Sequence, residues 1–128
     1  MSRERFTPND RLFRRSDVDR VIRHGIRVSD YCMTLWVLNN TLERSRIGLR
    51  APRRVGTAVL RNRLRRRVRE AFRRNRDRIP VGVDLMCQLR TAEGCSYAVL
   101  AESLIRLSVK AARRRPGDRP RRSRSADP

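Results

Sequence analysis

The 128-residue sequence has little of what membrane-spanning, secreted or disulfide-stabilised proteins require. No apolar run approaches the roughly 20 residues that a bilayer-spanning helix needs, and no signal-peptide pattern is present. The three cysteines, Cys32, Cys87 and Cys95, are odd in number and widely separated, without a C-x-x-C pair. We therefore expect reduced thiols in a cytoplasmic protein without a membrane partner, and neither a disulfide framework nor a zinc site.

Residue types that carry catalysis are also scarce. His24 is the only histidine, and its place beside Gly25 at a predicted helix end favours a structural role. The 13 acidic residues are scattered, and no pair of them is spaced like a metal site or a two-carboxylate active site. No glycine-rich phosphate loop of a known kind is present. The sequence therefore predicts no catalytic residue and no tightly bound metal or cofactor on the protein.

Positive charge dominates what is present. The chain has 33 Lys plus Arg against 13 Asp plus Glu, a formal net charge of +20, and Lys110 is its only lysine. Arginine grips phosphate in two places and stacks on bases, whereas lysine is a point charge. A GC-rich genome would explain arginine in place of lysine, but not the excess of positive charge. The composition predicts a nucleic-acid partner, because no basic amphipathic segment has the apolar face that would insert into an anionic membrane.

The first half of the chain predicts a short helix followed by strands. Ser16 is the expected N-cap of a helix over 16–24. The apolar and β-branched run at 28–38 predicts one long strand, and alternation at 46–51 predicts a second, half-buried strand. A short extended piece is expected at 53–55.

The second half predicts a helix, a buried strand and a last helix. A helix that begins near Thr57 carries an apolar stripe, and residues 79–82 end it. A buried strand follows at 83–90, and Ser96 is the expected N-cap of the last helix. The predicted organisation is a flexible arm over 1–9, one domain over 10–112 and a disordered basic tail over 113–128.

The arginine-rich helix is the strongest functional signal in the sequence. Between Arg61 and Arg78 there are ten arginines against Glu70 and Asp77, which leaves a local charge of ten minus two, or +8. Acids at i,i+4 spacing usually balance a solvated helix face, and two acids cannot balance ten arginines. Because the like charges repel one another in the free protein, the helix is predicted to bind a polyanion.

The run VGTAVLRNRLRRRVREAFRRN at 55–75 closely resembles the signature of the bacterial ribonuclease P protein component, with its Arg-Asn-Arg element. RLFRRSDVDRVIRHG at 11–25 and IGLRAPRRVG at 47–56 extend the resemblance, so that residues 11 to about 112 fit. The resemblance implies an α+β fold, an α-β-β-β-α-β-α two-layer sandwich like that of some ribosomal proteins. It also implies a left-handed βαβ crossover, which the general preference for right-handed crossovers would not predict.

The resemblance further implies a role in tRNA processing. The family's protein subunit joins a large catalytic RNA, the two forming a ribonucleoprotein endonuclease that removes the 5′ leader from precursor tRNA. The RNA and its bound Mg²⁺ perform the hydrolysis, and we expect one protein per RNA. Matching positions imply contacts with the catalytic RNA for Arg53, Arg54, Arg61, Asn62, Arg63, Arg65, Arg66 and Arg69.

The implied leader site is a cleft between the first helix and the sheet. Val18 and Ile22 stand where the family commonly has two aromatic residues, and aliphatic side chains supply only part of the stacking energy. We therefore expect Trp36 and Phe13 to carry more of the leader contact. Core packing is the equal alternative for Trp36.

Three other functions are consistent with a small, arginine-rich chain. A ribosomal or ribosome-assembly protein and a DNA-compacting protein would share its composition, but neither predicts the pattern at 55–75. A stand-alone nuclease would need clustered acids or histidines, which the sequence lacks. The nucleic acid that co-purifies with the protein would distinguish these functions.

Overall fold

The computed structural model describes Arg11 and residues 14–114, which form three helices and one four-stranded sheet. The predicted arm over 1–9, Phe13 and residues 115–128 of the predicted tail lie outside the described residues. The elements, in chain order, are α1 (Arg15–His24), β1 (Ile26–Ser29), β2 (Met33–Asn39), β3 (Arg46–Arg50), α2 (Ala58–Arg74), β4 (Val83–Leu89) and α3 (Tyr97–Ala112). This order confirms the predicted α-β-β-β-α-β-α fold.

The strands lie in the order β1-β2-β4-β3, so that β1 and β3 form the two edges of the sheet. β2 pairs antiparallel with both β1 and β4, and β3 pairs parallel with β4. The parallel pair is joined through α2, so β3–α2–β4 is the βαβ unit that the resemblance implied. The left-handed sense of its crossover stays a prediction.

The single strand predicted at 28–38 is wrong, because the chain turns back within it. β1 and β2 form an antiparallel pair in which Arg27 lies opposite Trp36. The Asp30 carboxylate accepts hydrogen bonds from the backbone N–H groups of Cys32, at 2.9 Å, and Met33, at 3.1 Å. A short aspartate side chain thus stabilises the turn. Apolar residues lie on both sides of it, so the sequence pattern did not indicate that β1 and β2 are separate strands.

Two other boundaries differ from the sequence prediction. α1 begins at Arg15, one residue before the predicted start, and its N-cap, Arg14, makes no side-chain capping bond. Ser16 therefore lies inside the first turn. The piece at 53–55, predicted to be extended, forms a 3₁₀ turn in which the N–H of Val55 donates to the carbonyl of Pro52.

The arginine-rich segment is also divided. α2 ends at Arg74, and the last two of the ten arginines lie in a 3₁₀ turn over Arg76–Arg78. Asn75 ends the helix, because its side-chain amide and its backbone N–H both donate to the Ala71 carbonyl. The helix predicted to begin near Thr57 does begin there, and the Thr57 side chain caps it by accepting from the N–H of Leu60. The predicted N-cap Ser96 is confirmed, since it accepts from the N–H of Val99.

The sheet has helices on both faces. α2 and α3 cover one face, where the main core forms from alternate residues of the strands and buried residues of both helices. The predicted stripe of α2 is buried there, with Leu64, Val68 and Phe72 at most 1% exposed. α1 covers part of the other face, where Val21 packs against Met86. Within the described residues, no helix has the length and apolar character needed to cross a membrane.

Candidate nucleic-acid interface

A cleft of about 350 Å³ opens between α1, the β3 edge of the sheet and α2. We call it the arginine cleft. Its lining residues are Arg11, Val18, Ile47, Gly48, Leu49, Arg50, Arg65, Arg69 and Met86. None of these residues is acidic, and four of the nine are arginines. The described lining of the cleft therefore combines positive charge with some apolar surface.

Three different elements bring the arginines of the cleft together. Arg11 lies beside β3 through an isolated parallel bridge to Ile47. Arg65 and Arg69 stand one helical turn apart on α2, so that both point to the same side of the helix. Gly48 lies opposite Met86 in the sheet, and both residues line the cleft.

The electrostatics of Arg69 show that positive charge is concentrated here. Partial burial lowers the pKa of Arg69, and the guanidinium groups of Arg11, Arg65 and Arg66 lower it further. A lowered pKa means that the charged form is disfavoured by its surroundings. A bound anion would remove that penalty, so the cluster favours the binding of phosphate.

The C-terminal end of α2 differs, because part of its charge is offset within the helix. Glu70 bonds to the guanidinium groups of both Arg73 and Arg74. These contacts lower the pKa of Glu70, the hydrogen bond from Arg73 most of all. Glu70 therefore offsets one of the two positive charges of Arg73 and Arg74, whereas the described lining of the cleft has no acid beside Arg65 and Arg69.

The residues with implied contacts to the catalytic RNA lie in different surroundings. Arg61 donates to the backbone carbonyls of Gly56, at 3.2 Å, and Ala51, at 3.3 Å. It therefore also holds the chain that leads into α2. Asn62 accepts from Arg65 at 2.6 Å. The other residues with implied contacts to the catalytic RNA that do not line the cleft are exposed: Arg53, Arg54, Arg63 and Arg66.

The residues with implied leader contacts lie together, except Phe13, which falls outside the described residues. Val18, Ile22 and Trp36 are partly buried around Val21 and Met86, between α1 and the sheet. Of the three, only Val18 also lines the arginine cleft. The guanidinium group of Arg27 lies 5.9 Å from the centre of the Trp36 ring. Trp36 is thus a packing residue in this structure and partly exposed as well.

Comparison with known sequences identifies the family of this chain. The family model described as Ribonuclease P matches residues 6–112. The chain belongs to the ribonuclease P protein family. It is 35% identical over 115 residues to the ribonuclease P protein component of Desulfosudis oleivorans, covering 89% of this chain and 95% of the relative. With that of Pelotomaculum thermopropionicum the identity is 40% over 81 residues, covering 63% and 72%.

Solved structures of ribonuclease P proteins share the fold. The protein from Thermotoga maritima superimposes with a TM-score of 0.71 at 30% identity, covering 78% of this chain and 96% of that chain. The protein from Staphylococcus aureus gives a TM-score of 0.70 at 26% identity, covering 80% and 94%. The mixed α+β domain with one four-stranded sheet is therefore the ribonuclease P protein fold.

In this member of the ribonuclease P protein family, a buried ion pair that the sequence analysis missed fixes α1 on the sheet. Asp84 on β4 is wholly buried, and its carboxylate accepts from Arg46 at 2.9 and 2.7 Å and from Asn40 at 2.8 Å. From α1, Arg20 lies 3.6 Å from Asp84, and Asp17 lies 3.6 Å from Arg46. The one sequence signal for this ion pair was the aspartate inside the apolar run of β4, because a buried carboxylate requires a partner.

The cysteines of this ribonuclease P protein are free thiols in the core, as predicted. The sulfur atoms of Cys32 and Cys95 lie 3.4 Å apart, and burial raises the pKa of Cys95 to about 12. Burial also raises the pKa of Cys87. Across Arg11 and residues 14–114, no group of three or more His, Cys, Asp or Glu residues could hold a metal ion.

Proposed function

We propose that this chain binds the catalytic RNA of a cytoplasmic ribonuclease P and the 5′ leader of precursor tRNA, one protein per RNA. The observation that carries the proposal is the cluster of guanidinium groups around Arg69, in a cleft whose described lining contains no acidic residue. Phosphate groups of RNA are the anions that such a cluster fits, because arginine binds them through two parallel hydrogen bonds.

The two RNA partners are assigned to different parts of the protein. Four exposed arginines of α2 and of the turn before it are assigned to the catalytic RNA: Arg53, Arg54, Arg63 and Arg66. The leader is assigned to the space beside α1, where Val18, Ile22 and Trp36 provide apolar surface. Arg65 and Arg69 lie between these regions, so they are placed to lower the repulsion between two RNA chains that approach each other.

In this proposal, the protein contributes binding rather than chemistry. The described residues offer no metal-holding group, and the endonucleolytic hydrolysis is assigned to the RNA and its Mg²⁺. Arginine charge between the two RNAs replaces part of the counterion atmosphere that would otherwise be needed. If about eight phosphates are neutralised, the log–log dependence of affinity on salt should have a slope of about −6.

The decisive experiment adds the purified chain to its cognate catalytic RNA at low Mg²⁺ and follows 5′ cleavage of precursor tRNA. We expect the chain to stimulate cleavage, and the variant Arg65→Gln/Arg69→Gln to stimulate it at least tenfold less. The matched control is Arg44→Gln/Arg74→Gln, which removes the same charge from exposed positions away from the cleft. No stimulation by the unmodified chain would overturn the proposal, as would co-purification with ribosomal RNA alone.

A further inference from the structure

A second cationic surface lies near the β1 edge of the sheet, away from the arginine cleft. β1 and β3 are opposite edges, the cleft lies at β3, and α3 packs on β1 and β2. The last turns of α3 line an open cavity of about 530 Å³. Its lining residues are Ile105, Arg106, Val109, Lys110, Arg113 and Arg114. Four of the six are cations and none is acidic. We call this region, together with the β1–β2 turn beside it, the α3 surface.

The charge of the α3 surface is larger than the end of a helix requires. A helix C-terminus favours cations in its last turn, where α3 has Lys110, and Arg113 and Arg114 follow directly after the helix. Here Lys110, Arg113 and Arg114 make no ion pair within the part of the chain that the structure describes. The sequence then continues through 115–128 with five further arginines against two aspartates. This excess of positive charge is suited to a polyanion.

An exposed aromatic ring lies in the turn that Arg106 contacts. Tyr31, at the β1–β2 turn, is 62% exposed, and the two backbone bonds to the Asp30 carboxylate hold its turn. Asp30 also accepts from Arg106 through its carboxylate and from Arg90 through its backbone carbonyl, each at 2.7 Å. Hydrogen bonds thus hold the guanidinium groups of Arg90 and Arg106 to Asp30, the residue before Tyr31.

Each of these guanidinium groups keeps donors for a ligand. The Arg106 side chain is 54% exposed although one of its nitrogen atoms bonds to Asp30. Guanidinium carries five N–H donors, so a single hydrogen bond leaves most of them available to a phosphate. Arg90 donates to a neutral carbonyl, so that contact does not neutralise its charge.

We propose that the α3 surface is a second RNA-binding site, specific for unpaired RNA. The Tyr31 ring stacks on one base, while Arg90, Arg106 and the last turn of α3 contact the phosphates on either side. An aromatic ring beside a basic groove is the combination that binds single-stranded nucleic acid without sequence preference. In a duplex the faces of the bases are covered, so the ring could not reach them. This site would be additional to the RNA contacts proposed above, and it lies at the opposite edge of the sheet from the arginine cleft.

Calorimetric titration of the full chain with an unstructured single-stranded RNA octamer tests this inference. We expect two octamers per wild-type chain. The variant Tyr31→Ala/Lys110→Gln/Arg113→Gln should bind one, in the arginine cleft. The variant Arg65→Gln/Arg69→Gln should also bind one, on the α3 surface. The charge-matched control Arg44→Gln/Arg74→Gln should bind two.

Single substitutions at Tyr31 separate stacking from charge. Tyr31→Ala should weaken the second site at least about fivefold, whereas Tyr31→Phe keeps the ring and should bind like the wild type. Because Tyr31 is exposed, neither substitution should change the unfolding midpoint. An unchanged dissociation constant for Tyr31→Ala would overturn the inference, as would a duplex of equal length that competes as well as the single strand.

The same titration distinguishes failure of this inference from failure of the proposed function. One octamer per wild-type chain, lost only in Arg65→Gln/Arg69→Gln, would eliminate the α3 surface and leave the arginine cleft. One octamer lost only in Tyr31→Ala/Lys110→Gln/Arg113→Gln would support the α3 surface and contradict the binding of RNA in the arginine cleft.

Discussion

The carboxylate of Asp84, wholly buried on β4, receives two hydrogen bonds from the guanidinium group of Arg46 on β3, at 2.9 and 2.7 Å. These bonds raise the pKa of Arg46, with the hydrogen bond to Asp84 as the largest cause. Because Arg20 and Asp17 of α1 lie close to the same pair, the pair holds α1 against the sheet. The position of α1, which forms one wall of the arginine cleft, therefore depends on an ion pair whose two residues do not line the cleft.

Replacing Asp84 by Asn should lower the free energy of unfolding by about 3 kcal/mol, because Arg46 keeps its charge and loses its buried partner. Chemical denaturation measures this, with Glu43→Gln as an exposed control that should change stability by less than about 0.5 kcal/mol. The double variant Arg46→Met/Asp84→Leu removes both charges and should recover part of the loss. A loss below about 1 kcal/mol for Asp84→Asn would show that α1 is held by apolar packing alone.

The arginine cleft should determine the salt dependence of leader binding. Removing two phosphate contacts with Arg65→Gln/Arg69→Gln should reduce the magnitude of the log–log slope by about 1.4 for a single-stranded leader. Anisotropy titrations of a labelled leader at several salt concentrations measure the slope. Arg44→Gln/Arg74→Gln carries the same net charge and should leave the slope within error of the wild type. Equal slopes for the two double variants would place the leader elsewhere.

Trp36 is the only tryptophan, so its fluorescence reports on the surface between α1 and the sheet. Leader binding should change that fluorescence, because the ring is partly exposed beside Val18 and Ile22. Trp36→Phe should keep both packing and leader preference, whereas Trp36→Ala should lower stability by about 3 kcal/mol. If Trp36→Ala folds and still prefers leader-bearing tRNA, Trp36 serves only in packing and the predicted contact between Trp36 and the leader is wrong.

The thiol of Cys95 should be unreactive in the native protein. Its pKa rises from the ordinary 9.0 to about 12, mainly through burial and then through the hydrogen bond with Cys32. A raised pKa means that the unfolded chain ionises first, so this contribution to stability is complete below pH 9 and decreases as the pH rises toward 12.

Two measurements check the thiol prediction. Iodoacetamide at pH 8 should modify the denatured chain and spare Cys95 in the folded one, as mass spectrometry would show. Between pH 8 and pH 11, the wild type should lose more stability than Cys95→Ala, which has no thiol to ionise at that position. Rapid native alkylation of Cys95 would contradict the buried placement.

The helices were predictable because their signals are local. Thr57 and Ser96 each bond to an N–H three residues ahead, and the stripe through Leu64, Val68 and Phe72 follows the 3.6-residue period. The charge of α2 could also be counted directly, since it depends only on composition. The local prediction failed where the Asp30 side chain ended a strand, and at α1, which begins before Ser16 with no side-chain cap at Arg14.

By itself, the sequence determined that the chain folds with an arginine-rich helix and an excess of positive charge. The tertiary structure alone decided which arginines form a site. Arg61, one turn before Arg65 on α2, is held by backbone carbonyls, whereas Arg69 meets Arg11, 58 positions earlier in the chain. No local pattern encodes that meeting, because it depends on the parallel placement of Arg11 beside β3 and on the packing of α2 across the sheet. Periodicity assigns a residue to a face, and only the packed elements determine what that face contacts.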